Sequence, residues 1–247
     1  MRELGKNNPL VTRLRKLKDK EERYAQGLYL CEGHKLLGEA LTRGARVRYV
    51  LALEGERLPT LPDYTEVYTV SESLMAGLSP VKTPQGVLAV CVIPQEKTAL
   101  EGRCHIVLDG LQDPGNVGTI LRTADAFGVD GVVLTEDCAD PYNPKCVRAS
   151  MGAVFKNNFI FCPRQEIPAL FAGRTLYAAD MNGNVTAGKS NLSDCAVIIG
   201  TEGSGVSEFL KKAATGILSI PMEPGAESLN AAMAATVIMW EMYRGKE

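Results

Sequence analysis

Residues 106–124 read IVLDGLQDPGNVGTILRTA and combine an apolar run, a turn signal and a helical pattern. The run Ile106–Leu108 is typical of a buried strand, and Pro114-Gly115 predicts a turn behind it. Asn116 is of the type that caps helices, so we expect it to cap the helix that follows. The apolar stripe of that helix comprises Val117, Ile120, Leu121, Ala124 and Phe127. A strand, a turn and a helix in this order predict an α/β fold.

The same pattern recurs over the C-terminal part of the chain, where short apolar runs alternate with helical stretches. We predict strands at Ile106–Leu108, Val132–Leu134, Phe159–Phe161, Leu176–Ala179, Val197–Ile199 and Ile217–Ile220. This alternation predicts a mostly parallel sheet with helices on both faces. Ligands of such sheets bind at the carboxyl ends of the strands, so the loops that follow the strands are the expected functional region.

The N-terminal part predicts a second, smaller α/β unit. Leucines at helical spacing with cations between them predict an amphipathic basic helix over residues 8–24. Strands are expected near residues 28–31, 47–53, 64–70 and 86–93, with a helix after Glu32-Gly33. Because residues 96–103 are polar, we predict a small domain over 1–95, a linker over 96–103 and a larger domain over 104–247.

Charge is distributed unevenly along the chain. The formal net charge is −2, yet residues 1–58 hold 13 Lys and Arg against 8 Asp and Glu, whereas residues 101–247 hold 12 against 17. A basic front end followed by an acidic body suggests that the front meets a polyanion. A solvated helix face rich in Arg and Lys explains the charge equally well.

Composition excludes several classes of protein. No apolar run approaches the ~20 residues of a membrane span, and the N-terminus lacks the apolar core of a secretory signal. The seven cysteines are scattered, without CxxC spacing and with only two histidines to join them. We therefore expect reduced thiols, no metal site, no membrane contact and a cytoplasmic protein.

Residues 183–190 match the phosphate-binding pattern GxxxxGK(S/T). That pattern binds phosphate only when a helix begins at its Lys-Ser and directs its amides at the anion. Only five residues separate Ser190 from the strand expected at Ala196, and they include the turn formers Asn191, Ser193 and Asp194. We therefore predict a turn here and no nucleotide hydrolysis.

Two further segments place unusual residues after predicted strands. Residues 197–207, VIIGTEGSGVS, carry three glycines that let the backbone approach a ligand closely, although a plain tight turn is also possible. Residues 219–230, SIPMEPGAESLN, precede a helix that is apolar nearly all round, which predicts burial inside the domain or against a second subunit. Arg122 lies opposite the apolar stripe of its own helix, so spacing alone favours a solvated surface residue.

These motifs in this order resemble the SpoU/TrmH branch of the SPOUT methyltransferases. The resemblance rests on N-x-G-x-x-x-R after Asp113-Pro114-Gly115, on I-I-G-x-E-x-x-G from Ile198, and on S-I-P-M followed by S-L-N from Ser219. Residues 145–155 are similar to a further block of the family, and residues 27–33 to its small substrate-binding domain. The resemblance extends over essentially the whole chain.

The resemblance implies a methyl transfer from S-adenosylmethionine to a ribose 2′-hydroxyl of RNA. It also implies a C-terminal trefoil knot, one of the rare exceptions to unknotted topology, and a homodimer. By matching position, the cofactor would contact Gly200, Ile220 and Leu229, and the catalytic and substrate-facing set would be Asn116, Arg122, Glu202, Ser228 and Asn230. Ribosomal RNA is the expected substrate, because the front domain resembles that of ribosomal relatives.

Chemistry narrows the role of Arg122 but leaves the proton acceptor open. A guanidinium with a pKa above ~12 is a poor base, so we interpret Arg122 as a bidentate clamp on an RNA phosphate. A substrate phosphate or Glu202 accepts the hydroxyl proton. The alternatives are a transfer-RNA 2′-O-methyltransferase, a catalytically silent RNA-binding homologue, and a nicotinamide-dependent enzyme, for which the GxGxxG fingerprint is lacking.

Overall fold

The computed structural model describes residues 2–225 and 228–246. The chain forms two compact units, Met1–Gln95 with Asp140–Asn157, and Glu96–Ala139 with Asn158–Glu247. The first boundary lies where the sequence placed the end of the small domain. The difference is Asp140–Asn157, which the sequence assigned to the larger domain and the structure groups with the first unit. The segment 96–103, expected as a linker, belongs to the second unit and contains neither helix nor strand.

The first unit is a five-stranded mixed sheet with helices. Its elements are β1 (Arg2–Glu3), α1 (Pro9–Lys16), α2 (Lys20–Gln26), β2 (Leu28–Glu32), α3 (His34–Thr42), β3 (Val47–Ala52), β4 (Glu66–Thr69), α4 (Glu72–Leu78) and β5 (Val87–Val92). The strand order is β1-β4-β3-β5-β2, with β5 antiparallel to both of its neighbours. Leu14 and Leu17 are buried in its core, as the spacing of Leu10, Leu14 and Leu17 predicted, whereas Leu10 is only partly buried and Val11 is buried beside it.

The basic segment forms two helices, which corrects the prediction of one helix over residues 8–24. The α1 helix ends at Lys16 and α2 begins at Lys20. The side chain of Arg23 explains the break, because its Nη1 donates to the carbonyl oxygens of Leu17 (3.0 Å) and Lys18 (2.8 Å). Those carbonyls are thereby satisfied without a continuing helix.

Residues 140–157 join the first unit through polar and aromatic contacts. Arg23 donates to Asp140 from Nε (2.8 Å) and Nη2 (2.5 Å), and the Tyr24 hydroxyl donates to the same carboxylate (3.1 Å). The ring of Tyr142 lies 4.8 Å from that of Tyr29. The segment contains α6 (Pro144–Ser150) and a 3₁₀ turn, Ala153–Lys156. Sequence spacing could not place it here, because its partners lie over a hundred positions earlier.

The second unit is built on a seven-stranded sheet whose adjacent strands are all parallel. Its elements are β6 (His105–Leu108), α5 (Pro114–Ala126), β7 (Gly131–Leu134), β8 (Phe159–Phe161), α7 (Ile167–Leu170), β9 (Leu176–Ala179), β10 (Val185–Thr186), β11 (Ala196–Ile199), α8 (Glu208–Ala213), β12 (Gly216–Ser219) and α9 (Ala231–Arg244). The order is β10-β12-β9-β11-β6-β7-β8. The predicted α/β architecture and parallel sheet are confirmed. No described helix combines the length and apolar composition needed to cross a membrane.

Residues 183–190 lack the helix that a phosphate-binding loop requires. The strand β9 precedes them as predicted, and the short edge strand β10 then pairs with β12. Turns follow as far as β11, which confirms the predicted turn. The helix that a phosphate-binding loop needs is therefore missing from this segment. The edge strand itself was not predicted, since two residues are too few to give a periodic signal.

Candidate active site

A cavity of about 360 Å³ lies at the carboxyl ends of β9, β11 and β12. The three predicted cofactor residues, Gly200, Ile220 and Leu229, all line it, and so does Ser228. Asp180, Met181 and Asn182, in the loop after β9, form a further wall that sequence reasoning did not assign. The parallel sheet explains this position, because the loops after neighbouring parallel strands meet at one edge.

Glycine is required where the β11 loop folds back on itself. Thr201 and Gly205 exchange two backbone hydrogen bonds, of 3.1 and 2.9 Å, which close a tight turn around Glu202. A Cβ atom on Gly200 would overlap the backbone of Gly205, and Gly205 itself has a φ of 66°, in the left-handed region. The turn therefore brings bare backbone to the cavity and presents Glu202 at its edge.

Asn116, Glu202 and Asn230 form one polar cluster. Asn116 Nδ2 donates to Glu202 Oε1 (2.9 Å), and Asn230 Nδ2 donates to the same oxygen and to Asn116 Oδ1 (3.3 Å). Asn230 also caps α9, because its Oδ1 accepts from the backbone N–H groups of Ala232 and Met233. This cap fixes the orientation of the Asn230 amide and so directs its Nδ2 toward Glu202.

The helix cap of α5 is Asp113, which corrects the prediction of Asn116. Asp113 Oδ1 accepts from Gly115 N (2.6 Å), and Pro114 is the first helical residue. Asn116 therefore lies within the first turn, and its amide reaches Glu202 instead of the helix backbone. A second cavity, of about 400 Å³, lies beside this cluster and is lined by both Asn116 and Glu202.

Arg122 lies away from this cluster, farther along the same helix. It follows Asn116 by six residues, a rise of about 9 Å along the axis. Its side chain is exposed, as the helical spacing predicted, and it does not line either cavity. Within residues 2–225 and 228–246 no hydrogen bond or ion pair involves Arg122. The guanidinium is therefore available to a ligand outside the described chain.

A buried carboxylate that sequence reasoning missed holds the loops of the site. Asp109 directly follows β6, and its Oδ2 accepts from the backbone N–H of Ser207 (2.7 Å) in the loop after β11. Its Oδ1 accepts from Arg164 Nε (2.6 Å), whose Nη2 also bonds Asp137 (2.5 Å). Hydrogen bonds to Asp137 and Asp109 raise the pKa of Arg164 well above its usual value. The position of Asp109 directly after a predicted strand could have marked it as a candidate site residue. Nothing in the sequence around Arg164 indicated its role.

Comparison with known proteins places this architecture in a family. The model of the SpoU rRNA Methylase family matches residues 103–240, and that of the MRM3-like substrate binding domain matches residues 8–89. The chain belongs to the SpoU rRNA methylase family. The resemblance predicted from its motifs is therefore confirmed.

Two relatives and one solved structure show how far the similarity extends. The 23S rRNA (guanosine(2553)-2′-O)-methyltransferase RlmP of Bacillus subtilis is 34% identical over 95% of this chain and 96% of its own length. The human mitochondrial rRNA methyltransferase 3 is 31% identical over 92% of this chain and 70% of its own length. The SpoU methyltransferase AviRb of Streptomyces viridochromogenes, solved in complex with AdoMet, has a TM-score of 0.88 and 28% identity, covering 97% of this chain and 98% of its own.

These relatives confirm the predicted activity, an RNA methyltransferase that uses S-adenosylmethionine. The individual residue roles, the domain functions, the trefoil knot and the homodimer stay predictions. Among the described residues, no group of three or more His, Cys, Asp or Glu is arranged to hold a metal ion.

Proposed function

We propose that this chain is a cytoplasmic methyltransferase of the SpoU family that methylates a ribose 2′-hydroxyl of ribosomal RNA. The observation that carries the proposal is the Asn116–Glu202–Asn230 cluster at the mouth of the cavity after β11. The amides of Asn116 and Asn230, from two separate parts of the chain, converge there on one carboxylate oxygen of Glu202. Two of the similar proteins, those of Bacillus subtilis and human mitochondria, are rRNA methyltransferases, which supports the choice of substrate.

The cavity fits S-adenosylmethionine in size and lining. Its volume lies within the usual range for small-molecule sites. Apolar residues (Ile199, Leu218, Ile220 and Leu229) offer contacts for the adenine ring, and the backbone of residues 200–205 offers hydrogen bonds to its edge. When bound, the sulfonium supplies an electrophilic methyl group, so the protein needs no metal for that step. We assign Gly200, Ile220 and Leu229 to the cofactor.

Glu202 is placed to receive the hydrogen of the ribose hydroxyl. Its Oε1 is occupied by the amides of Asn116 and Asn230, whereas no described residue bonds its Oε2. The two amides therefore orient the carboxylate and leave one oxygen for substrate. General-base assistance of this kind contributes about 10²–10⁴-fold to a rate. Ser228 lines the same cavity and is assigned to the substrate-facing set.

Arg122 is assigned to an RNA phosphate. It is exposed, it lies on the helix that carries Asn116, and it has no partner among the described residues. A planar guanidinium binds phosphate through two parallel hydrogen bonds and stabilises negative charge that develops nearby. This role needs no deprotonation of the arginine.

The first unit is assigned to RNA binding. Arg13, Arg15 and Lys16 of α1 are exposed, while Val11 and Leu14 on the other side are buried. Cations on one face of a helix attract the phosphate backbone without reading sequence. This assignment agrees with the match of residues 8–89 to a substrate binding domain.

The proposal is tested by methyl transfer with labelled S-adenosylmethionine, using ribosomal RNA and transfer RNA as separate substrates. Wild-type protein should label ribosomal RNA, and digestion should recover the label on a 2′-O-methyl nucleoside. Glu202→Gln should lower kcat by about 100-fold. Glu208→Gln, at an exposed carboxylate on α8, is the matched control and should be near wild type.

If only transfer RNA is labelled, the substrate is transfer RNA and the proposal of ribosomal RNA is wrong. Label on a base would overturn the proposed chemistry. No label on any RNA, with AdoMet binding intact, would identify a silent RNA-binding homologue.

A further inference from the structure

A further cavity, of about 150 Å³, lies wholly within the first unit, between the N-terminal end of α3, the loop before β5 and α6. Its walls are largely apolar, formed by Leu30, Leu36, Val81, Val147 and Met151. Its polar groups are few and of defined type: one carboxylate, Glu32, one amide, Gln85, and two cations, Lys35 and Arg148. Apolar walls with a small number of placed polar groups characterise ligand sites, and a volume below the ~300–1,000 Å³ usual for drug-sized ligands limits the occupant to a single small group.

The carboxylate of Glu32 is held in place by the loop that borders the cavity. Its Oε2 accepts from the Ser79 hydroxyl (2.7 Å), and its Oε1 accepts from the backbone N–H of Gln85 (3.0 Å). Each carboxylate oxygen has about two acceptor positions, so one position on each oxygen remains. Glu32 thus lines the cavity with both oxygens fixed in place and with acceptor capacity left on each of them for a ligand.

Two residues that border the cavity have a positive φ. Gly33 has a φ of 97°, and the side-chain amide of Gln85 occupies the space that a Cβ atom on Gly33 would need. Met151, which also lines the cavity, adopts a left-handed conformation with φ 49° as the C-cap of α6. Such a residue commonly ends a helix, so α6 ends at the border of the cavity.

Two cations of the cavity have no ion-pair partner among the residues that the structure describes. Lys35 and Arg148 are both exposed, and no described residue forms an ion pair with either. A pair of free cations beside an apolar slot matches a nucleotide, whose planar base has two apolar faces and whose phosphate is an anion. RNA is recognised in this way when an unpaired base is turned out and bonded on its Watson–Crick edge.

We propose that this cavity binds the base of an unpaired guanosine in the substrate RNA, with Glu32 as the residue that selects it. Guanine presents N1–H and N2–H as adjacent donors, which match the two free acceptor positions of Glu32. Adenine, cytosine and uracil each place an acceptor beside their donor. Lys35 and Arg148 bind the phosphates that flank the base. This inference rests on the proposed function in taking RNA as the ligand.

The test uses the full-length protein and short single-stranded uridine oligonucleotides with one guanosine, inosine or adenosine at the centre. Affinity is measured by fluorescence anisotropy. Wild-type protein should bind the guanosine oligonucleotide about tenfold more tightly than the adenosine one, the scale of one bidentate contact to a base. Inosine, which lacks the N2 amine, should fall between them.

Variants distinguish recognition of the base by Glu32 from attraction of the phosphates by Lys35 and Arg148. Glu32→Gln should bring guanosine and adenosine to equal affinity, whereas Asp63→Asn, at an exposed carboxylate of the same unit, should keep the preference. Lys35→Ala and Arg148→Ala should weaken all three oligonucleotides alike and each lower the salt dependence by about one phosphate contact. Should Glu32→Gln fail to fold, Val81→Trp fills the cavity from the partly exposed loop and should abolish the preference instead.

Equal binding of guanosine and adenosine by the wild type, or a preference that survives both Glu32→Gln and Val81→Trp, would overturn this inference. The methyl-transfer assay on ribosomal RNA separates the two proposals. A protein that methylates RNA without guanosine preference disproves the cavity assignment alone. A protein that selects guanosine but methylates no RNA disproves the proposed activity and leaves the binding site standing.

Discussion

The guanidinium of Arg122 faces solvent on α5, so truncating it removes no packing from the core. Arg122→Ala should fold and bind S-adenosylmethionine almost as wild type does. Turnover should fall by about 100-fold, the usual loss when one donor to a developing oxyanion is removed. Arg122→Lys should recover little, since an ammonium cannot form the planar two-pronged contact.

The measurements for Arg122 are steady-state methyl transfer and calorimetric titration of the cofactor. Thr119→Ala, one helical turn earlier and also exposed, is the control for an altered α5 surface. Full activity in Arg122→Ala would make the arginine an ordinary surface residue. Lost cofactor binding would mean that Arg122 contacts the cofactor and not an RNA phosphate.

His105 is buried in β6 and is held as the neutral imidazole. Arg174 Nη2 lies 3.1 Å from His105 Nδ1 and can only donate, so Nδ1 accepts and Nε2 donates to the carbonyl of Glu101 (3.0 Å). Burial, together with the charge of Arg174, lowers the pKa of His105. The unfolded chain therefore takes up a proton near pH 6.5 that the folded chain does not.

This pKa shift predicts the direction in which stability changes with pH. The contribution of neutral His105 is fully present above pH ~6.5 and is lost as the pH falls toward the lowered folded-state pKa. Thermal unfolding between pH 7.5 and 5 should show the midpoint decreasing in the wild type. In His105→Gln, which cannot be protonated, the decrease should be smaller. Parallel curves for the two proteins would mean that other groups cause the pH dependence.

At the scale of elements, Arg23 joins α1, α2 and the segment that begins at Asp140. Its side chain is almost wholly buried and bonds two carbonyls and one carboxylate. Arg23→Met should be strongly destabilising, by about 3–5 kcal/mol, because Asp140 would remain buried without its cation. The double variant Arg23→Met with Asp140→Asn also removes the buried negative charge, so it should recover part of the lost stability.

Differential scanning calorimetry measures the loss as a fall in unfolding temperature of roughly 2–4 °C per kcal/mol for a chain of this size. Arg43→Met is the control, because Arg43 pairs with Glu39 on the surface of α3. If Arg23→Met and Arg43→Met cost the same, the buried pair has no special role.

The elements that sequence predicted well are those whose signal is local. Every strand from β6 to β12 except β10 was located to within about a residue, because strands buried on both faces are continuous apolar runs. Helix α4 was not predicted, because seven residues give little periodic signal. The break after Lys16 depends on the contacts of Arg23 with the carbonyls of Leu17 and Lys18, which belong to the tertiary structure. The cluster of Asn116, Glu202 and Asn230 came from family resemblance, since spacing alone cannot bring positions over a hundred residues apart together.

At the scale of the whole molecule, Asp140–Asn157 belongs to the first unit, and this changes how RNA binding by that unit can be tested. Deleting residues 1–95 would strip Asp140 and Tyr142 of their partners, so the truncated chain is a poor probe. Substituting exposed cations of α1 avoids this. Arg13→Ala with Arg15→Ala should weaken RNA binding and flatten the plot of log affinity against log salt by up to about two units.

Electrophoretic mobility shifts at several salt concentrations measure this effect. Lys189→Ala, which removes an exposed cation from the second unit, is the control and should leave the slope unchanged. An unchanged slope in the double variant would place the RNA contacts elsewhere.

Helix α9 predicts association of two chains. The sequence showed it as apolar nearly all round, and the structure buries Ala231, Ala235, Ile238, Met239 and Met242 within the second unit. An exposed stripe remains on its other side. That stripe consists of Met233 (63% exposed), Val237 (36%), Trp240 (47%) and Tyr243 (40%). The ring of Phe127 extends it, 5.7 Å from Trp240. A contiguous exposed apolar patch of this kind is typical of an interface with another protein chain.

We expect a homodimer through this stripe, and light scattering at micromolar concentration should give twice the 26.6 kDa of the chain. Trp240→Lys with Met233→Lys places charge on exposed positions only, so the variant should fold but scatter as a monomer. Phe209→Lys is the matched control, because Phe209 is equally exposed (48%) on α8, outside the stripe. A monomeric wild type would contradict the expectation. A dimer that tolerates both lysines would move the interface to another face of the second unit, because burying two charges without partners in the stripe would weaken association strongly.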